Sequence, residues 1–193
     1  MLFNNVRIES VGYDLGPERV TSSDLEEQFS NSMIRLQIRP GTLEAVSGIH
    51  ERRFWPLGTK PSTIATLAAQ KAIEAAKIDP AEIGCLISTS VMRDYIEPST
   101  ASLIHGNLRL SSNCMNYDLS NACLGFVNGM YNIGLMIESG AIKRGLVVAG
   151  EAGRELIEAT IRNLGQPDTT RQQFMENLAT LTLGEGAVAM ILS

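Results

Sequence analysis

Tyr117-Asp118-Leu119-Ser120-Asn121-Ala122-Cys123-Leu124-Gly125-Phe126 is the stretch whose reading decides the fold. A short apolar run, Cys114 to Leu119, gives way to Ser120 and Asn121, both good helix N-caps. Leu124, Val127, Tyr131, Leu135 and Ile137 then recur at helical spacing, and Gly140 offers a C-cap. The pattern predicts a strand followed by a helix, with Cys123 in the helix's first turn. There the unpaired N–H groups and the positive end of the dipole favour a thiolate. A basic partner is still needed to ionise such a sulfur fully. The plain alternative is an inert buried cysteine.

The same helix holds Gly125, Gly129 and Gly134 in its interior. Each costs roughly 1 kcal/mol relative to alanine. Close approach of a second backbone, as where helices touch, would return that cost. The sequence therefore predicts a helix buried in the middle of a larger body.

Working outward, 193 residues suffice for one sizeable core, and 44% hydrophobic residues with a mean hydropathy near zero read as a soluble globular chain. A net charge of −5 with 5% aromatics gives no basic stripe and no stacking platform, which argues against nucleic acid. No apolar run approaches the roughly 20 residues of a membrane span. Cys85, Cys114 and Cys123 are an odd number without paired-ligand spacing, so they suit a reducing cytoplasm better than a disulfide framework or a metal site.

Upstream, Val6 to Leu15 reads as a strand. Thr21 to Glu26 offers a capping box before an amphipathic helix carrying Leu25, Phe29, Met33 and Leu36, which Pro40-Gly41 breaks. Gly48 to Pro56 has neither period and is expected to be an ordered loop. Pro61-Ser62-Thr63 opens an alanine-rich helix, Ile64 to Lys77. Ile83 to Val91 looks like a strand buried on both faces. A loop, Met92 to Glu97, leads to Pro98 as the first residue of a helix through Leu108. Downstream, Gly145–Gly150 and Gly186–Leu192 read as buried strands, with helices over Glu155–Leu164 and Thr170–Leu183 between them. Strands alternating with helices indicate an α/β layered domain with a largely parallel sheet. The sequence stops one residue past a strand, which reads as half of a larger fold.

Asn121-Ala122-Cys123-Leu124-Gly125-Phe126, Gly48-Ile49-His50-Glu51-Arg52-Arg53, Glu97-Pro98-Ser99-Thr100-Ala101 and Leu183-Gly184-Glu185-Gly186-Ala187, taken together, resemble the thiolase-superfamily condensing enzymes. The chain is most similar to the β-ketoacyl synthase III group, and within it to the OleA-type branch that joins two long-chain acyl-CoAs head to head. The resemblance runs along nearly the whole chain. It implies the N-terminal half of a duplicated αβαβα fold over residues 1–193, acting as an acyltransferase in a homo- or heterodimer, with fatty acyl-CoA as substrate and no metal or prosthetic group.

By that resemblance Cys123 is the nucleophile, and its own backbone N–H is one oxyanion donor. A His and an Asn complete the family's site from the C-terminal half, absent from these 193 residues and expected on another polypeptide. Neither His50 nor His105 lies at a matching place. Glu97 sits where synthase III enzymes carry an apolar residue that floors a neighbouring protomer's acyl pocket, whereas the OleA-type branch has Glu. A carboxylate among apolar groups holds its charge at a cost, a condition that makes a general base. The alternative for Glu97 is a helix-start residue that favours the dipole of the following helix. Arg52 and Arg53 fall where the family has a basic motif for CoA phosphates, though adjacent arginines are also a common solvated face. The tryptophan that stacks on adenine in synthase III enzymes is unmatched, its place falling near Thr42.

Glu185 between two glycines is expected in a tight turn near the active site. Gly184-Glu185-Gly186 follows a helix and enters a strand, the reverse of a dinucleotide fingerprint. The competing functional readings are decarboxylative condensation with a malonyl thioester, a non-catalytic subunit of a heteromeric synthase, and an acyl-binding module without turnover.

Overall fold

The computed structural model describes residues 3–193. In chain order the elements are β1 (Ile8–Leu15), β2 (Glu18–Thr21), α1 (Ser22–Glu27), α2 (Ser30–Arg35), α3 (Thr42–Ser47), β3 (Glu51–Phe54), α4 (Pro61–Ala76), β4 (Cys85–Ser88), α5 (Thr100–Asn107), β5 (Met115–Asp118), α6 (Gly125–Glu138), β6 (Gly145–Glu151), α7 (Arg154–Leu164), α8 (Arg171–Leu181) and β7 (Gly186–Leu192). They fall into two units: residues 1–14, 58–152 and 186–193 form the first, and 15–57 with 153–185 the second.

The first unit is built on a five-stranded sheet in the order β1-β7-β6-β4-β5. Strands β5, β4 and β6 run parallel and β7 runs antiparallel to β6, giving the mostly parallel sheet that was expected. Helix α4 covers one face. Its alanines 65, 68, 69 and 72 are fully buried, and small residues let it lie close: a Cβ on Gly150 would meet the Pro61 carbonyl at 2.5 Å. Helix α6 covers the other face, where Cys85, Ile87, Ile133, Ile137, Val147 and Leu192 form the core. β4 is buried at every position, as its unbroken apolar run requires.

In the second unit, β2 and β3 form an antiparallel ribbon, and helices α1, α2, α3, α7 and α8 gather around Phe29, Phe54, Ile157 and Phe174. Two expectations fail here, and one helix is an addition to those expected. Gly48–Pro56 is no loop, because Glu51–Phe54 is a strand. Its buried positions are Arg52 and Phe54, and an arginine in the inward register hides the alternation. The amphipathic helix of Leu25 to Leu36 is two helices that part at Phe29, whose ring packs on Phe174 at 6.1 Å. After Pro40 a further helix, α3, starts at once. Gly41 takes a left-handed φ of 82°, and the buried Glu26 carboxylate accepts the N–H groups of Gly41 and Leu43. The expected capping box does form, between Thr21 and Asp24.

Candidate active site

Cys123 lies between β5 and α6, in a single 3-10 turn, Ala122–Leu124. The expected position at a helix start after a strand is found, with one difference. The α-helix itself begins at Gly125, and no side chain caps it. Ser120 and Asn121 are therefore not its caps. Asn121 instead donates through Nδ2 to Asn128 Oδ1 at 2.5 Å, tying the turn to the helix's first coils. Ala122 adopts φ 43°, a left-handed conformation that costs an alanine energy. Cys123 is exposed, whereas Cys85 and Cys114 are buried. Burial pushes the Cys85 thiol up to about 12 and the Cys114 thiol up to about 11, leaving both protonated and inert at neutral pH.

The turn rests on the C-terminal end of β4. Leu119 donates its N–H to the Ser88 carbonyl at 2.8 Å, and Thr89 donates to the Val148 carbonyl at 2.8 Å. A Cβ on Gly125 would meet the Thr89 carbonyl at 3.1 Å. One on Gly129 would meet Val147 Cγ1 at 2.8 Å and Thr89 Cγ2 at 2.9 Å. The glycines thus allow the close approach expected of them, but what approaches is the end of a strand and its side chains, not a second helix. At Gly134 the neighbour is the Phe3 ring, at 2.9 Å.

Glu97 is exposed in the segment between β4 and α5, just before a cis peptide bond to Pro98. Helix α5 starts later than the sequence suggested, at Thr100. Its cap is Ser99, which accepts from the Ser102 N–H at 3.2 Å, so Pro98 stands outside the helix. Around Glu97 the loop shows apolar groups to the outside: Ile96 is 89% exposed, and Val91 and Tyr95 are exposed too. The loop's backbone, by contrast, is pinned by carboxylates. Glu151, the last residue of β6, accepts the N–H groups of Val91 at 2.7 Å and Met92 at 3.2 Å. Asp94 accepts the Ser62 N–H at 2.8 Å and its hydroxyl at 2.6 Å, at the start of α4. Asp118, the last residue of β5, accepts the N–H groups of Thr100 at 3.0 Å and Ala101 at 2.7 Å. Burial raises the Glu151 carboxyl above the usual range, and its two backbone bonds pull the other way.

Sequence reasoning missed Asp94, Asp118 and Glu151. Their partners are 17 to 60 residues away, so no local spacing could mark them.

The two histidines are engaged elsewhere. His105 hydrogen-bonds the Ser111 carbonyl at 3.0 Å, and His50 sits 3.2 Å from both oxygens of Glu44. In the second unit Arg52 is buried. Its Nη2 donates to Ser22 Oγ at 2.9 Å, and burial lowers its pKa. Arg53 is half-buried and donates to the Gly16 carbonyl at 3.2 Å. Glu185 is buried, and its carboxylate accepts the N–H groups of Trp55 at 2.5 Å and Arg154 at 2.6 Å, fastening the start of α7 to the end of β3. Gly184 allows close packing as expected, since a Cβ there would lie 2.9 Å from Arg52 Cβ. Among the described residues no three His, Cys, Asp or Glu side chains gather as a metal site would require. Nor is any described helix long and apolar enough to cross a membrane.

A strand that delivers an exposed cysteine onto a glycine-notched helix, within a helix-covered mixed sheet, is a thiolase-like α/β arrangement. Residues 117–193 match the 3-oxoacyl-[acyl-carrier-protein] synthase III family. Over all 193 residues the chain is 45% identical to the acyl-CoA:acyl-CoA alkyltransferases of Xanthomonas campestris and Shewanella oneidensis, covering 57% and 55% of their lengths. Its structure superposes on a crystal structure of a Xanthomonas campestris OleA variant with a TM-score of 0.97 at 44% identity, over the whole of this chain and 56% of that one. A cerulenin-bound crystal form of OleA gives 0.96. The chain thus shares the fold of OleA over its whole length, and spans a little over half the length of the curated relatives it matches.

Proposed function

We propose that this chain supplies the nucleophile and the base for a Claisen condensation of two fatty acyl-CoAs. The observation that carries the reading is the exposure of Cys123 on its turn, while the chain's other two thiols are sealed in the core. In this reading the Cys123 sulfur attacks the thioester carbonyl of the first acyl-CoA, and the carbonyl oxygen draws charge toward the Cys123 backbone N–H. The carbon–sulfur bond to CoA breaks and the CoA thiol leaves. Glu97 then takes a proton from the carbon beside the carbonyl of the second acyl-CoA. The resulting carbanion attacks the acyl-cysteine and expels the Cys123 thiolate. The product is a β-keto thioester, or the β-keto acid after hydrolysis. The steps invoke no metal or prosthetic group, and the exposed thiol suits a reducing cytoplasm.

The base that ionises Cys123 comes, in this reading, from a C-terminal half bearing His and Asn, on this polypeptide's continuation or on a separate one. Leu124, Val127 and Leu135 support that arrangement. They stand 61%, 60% and 38% exposed along one face of α6, an apolar stripe continued by Tyr131, which touches the Phe3 ring. A dimer, homomeric or heteromeric, would supply the apolar surroundings that this chain does not give Glu97. Arg53 remains a candidate for a CoA phosphate. Arg52, buried and bonded to Ser22, is left to the fold. A non-catalytic subunit would have no use for an exposed nucleophile on a strained turn.

Glu97→Gln in the complete enzyme tests the reading. Acylation of Cys123 is expected to persist while formation of the carbon–carbon bond falls by a factor on the order of 100 or more. Unchanged product formation would return Glu97 to a helix-start role, and carbon dioxide release would turn the reading to the decarboxylative reaction.

A further inference from the structure

The segment between β4 and α5 is long, exposed and yet fixed at both ends by carboxylates borne on neighbouring strands. At its beginning, Glu151 on β6 takes the Val91 and Met92 N–H groups. At its end, Asp118 on β5 takes the Thr100 and Ala101 N–H groups. Both strands are hydrogen-bonded to β4 in parallel register, with Ser88 opposite Asp118 on one side and Val148 on the other. The two carboxylates therefore stand at the same end of the sheet and flank the strand from which the loop departs. Asp118 is also five residues ahead of Cys123 on the strand that delivers it.

We infer that Asp118 and Glu151 are positioning residues, a two-point clamp that sets the Glu97 loop against the Cys123 turn. The inference rests on the reading of Cys123 as nucleophile and Glu97 as base. An N–H group accepted by a carboxylate makes a stronger, shorter bond than one accepted by a neutral group. Such bonds at both ends of a loop fix its path while leaving its apolar tip exposed. Asp118 couples the two reacting residues most directly, since one carboxylate joins the start of α5, three residues past Glu97, to the strand leading to Cys123. Neither carboxylate is needed for attack of the sulfur on the first thioester. Both matter for the second step, in which a proton is taken from one chain while the other is held on the cysteine. A displacement of about 1 Å is enough to cost a hundredfold in a step of that kind.

The test compares two rates in the complete enzyme, for Asp118→Asn and Glu151→Gln separately. The first is formation of the acyl adduct on Cys123, followed by intact mass. The second is condensation from the acylated state. The clamp predicts acylation within about twofold of the parent and condensation slowed on the order of 10- to 100-fold, with the apparent KM for the first acyl-CoA unmoved. Asp118→Glu, which keeps both oxygens, should recover part of the loss that Asp118→Asn suffers. If both rates fall together, or neither falls, the clamp is wrong. Glu97→Gln in the same assay separates the causes. Should it leave condensation intact, the base assignment fails and the clamp with it. Should it abolish condensation while both clamp variants are normal, only the clamp fails. Because the two variants cut independent anchors, misfolding of one leaves the other to decide.

Discussion

The two faces of α6 are built for different company. Its inner face is notched by Gly125 and Gly129, filled by Ile133 and Ile137, and closed on Thr89 and Val147. Its outer face carries Leu124, Val127 and Leu135 exposed at the same helical spacing, with Tyr131 of the same stripe against the Phe3 ring. The inner face is complete within this chain. The outer face has the composition of an interior without its neighbour. The Cys123 turn leads into the N-terminal end of this helix, and in the proposed reading its base comes from the side of the open face.

The largest expected effect lies on the outer face. If the remaining half packs there, Val127→Asp places a charge in a buried contact and destabilises the complete enzyme by several kcal/mol, read by chemical denaturation. A change within about 0.5 kcal/mol, as for an ordinary surface site, would mean that this face meets water. On the inner face, Gly129→Ala brings a Cβ to 2.8 Å from Val147 Cγ1. The overpacking is expected to cost about 1–3 kcal/mol, lowering the melting midpoint. At the turn itself, Ala122→Val puts a β-branched side chain at φ 43°. That should cost about 1–2 kcal/mol and slow the acylation of Cys123; unchanged acylation would show that the turn's strain is idle.

The smallest effect is electrostatic and belongs to the edge of the same unit. The Arg144 guanidinium beside Glu9 holds that carboxyl below the usual range, with Nε 2.8 Å from Glu9 Oε2. A folded-state value below the unfolded one means that the pair stabilises above the ordinary carboxylate pKa. The contribution is lost as pH falls through the lowered value. Glu9→Gln should therefore lower stability at neutral pH slightly and flatten the acid limb of a stability–pH curve. Glu151 works with the opposite sign: burial raises its value, so stability falls as pH rises from the unfolded value toward the raised one.

Much of the first unit was legible because its physics is local and periodic. The apolar run of β4, the alanines of α4 and the glycines of α6 each announce burial at the spacing their elements require. The position of Cys123 between a strand and a helix was legible in the same way. What stayed hidden depended on partners distant in sequence. β3 was unreadable because Arg52 occupies an inward position with its guanidinium on Ser22. α3 was unreadable because the carboxylate that starts it, Glu26, lies 15 residues upstream of Gly41. Asp118 and Glu151 end their strands in the structure and accept hydrogen bonds from backbone far along the chain. The exposed face of α6 shows the converse. Leu124, Val127, Tyr131 and Leu135 carried the helical signal, and the periodicity was right about the helix while silent about what covers it.

Intact-protein mass spectrometry tests most directly whether Cys123 is the acyl acceptor. After incubation of the complete enzyme with a long-chain acyl-CoA, a single adduct of the acyl mass is expected. Peptide mapping should place it on Cys123, and Cys123→Ala should abolish it. Tight binding of the acyl-CoA without a covalent adduct, or an adduct that survives Cys123→Ala, would contradict the account.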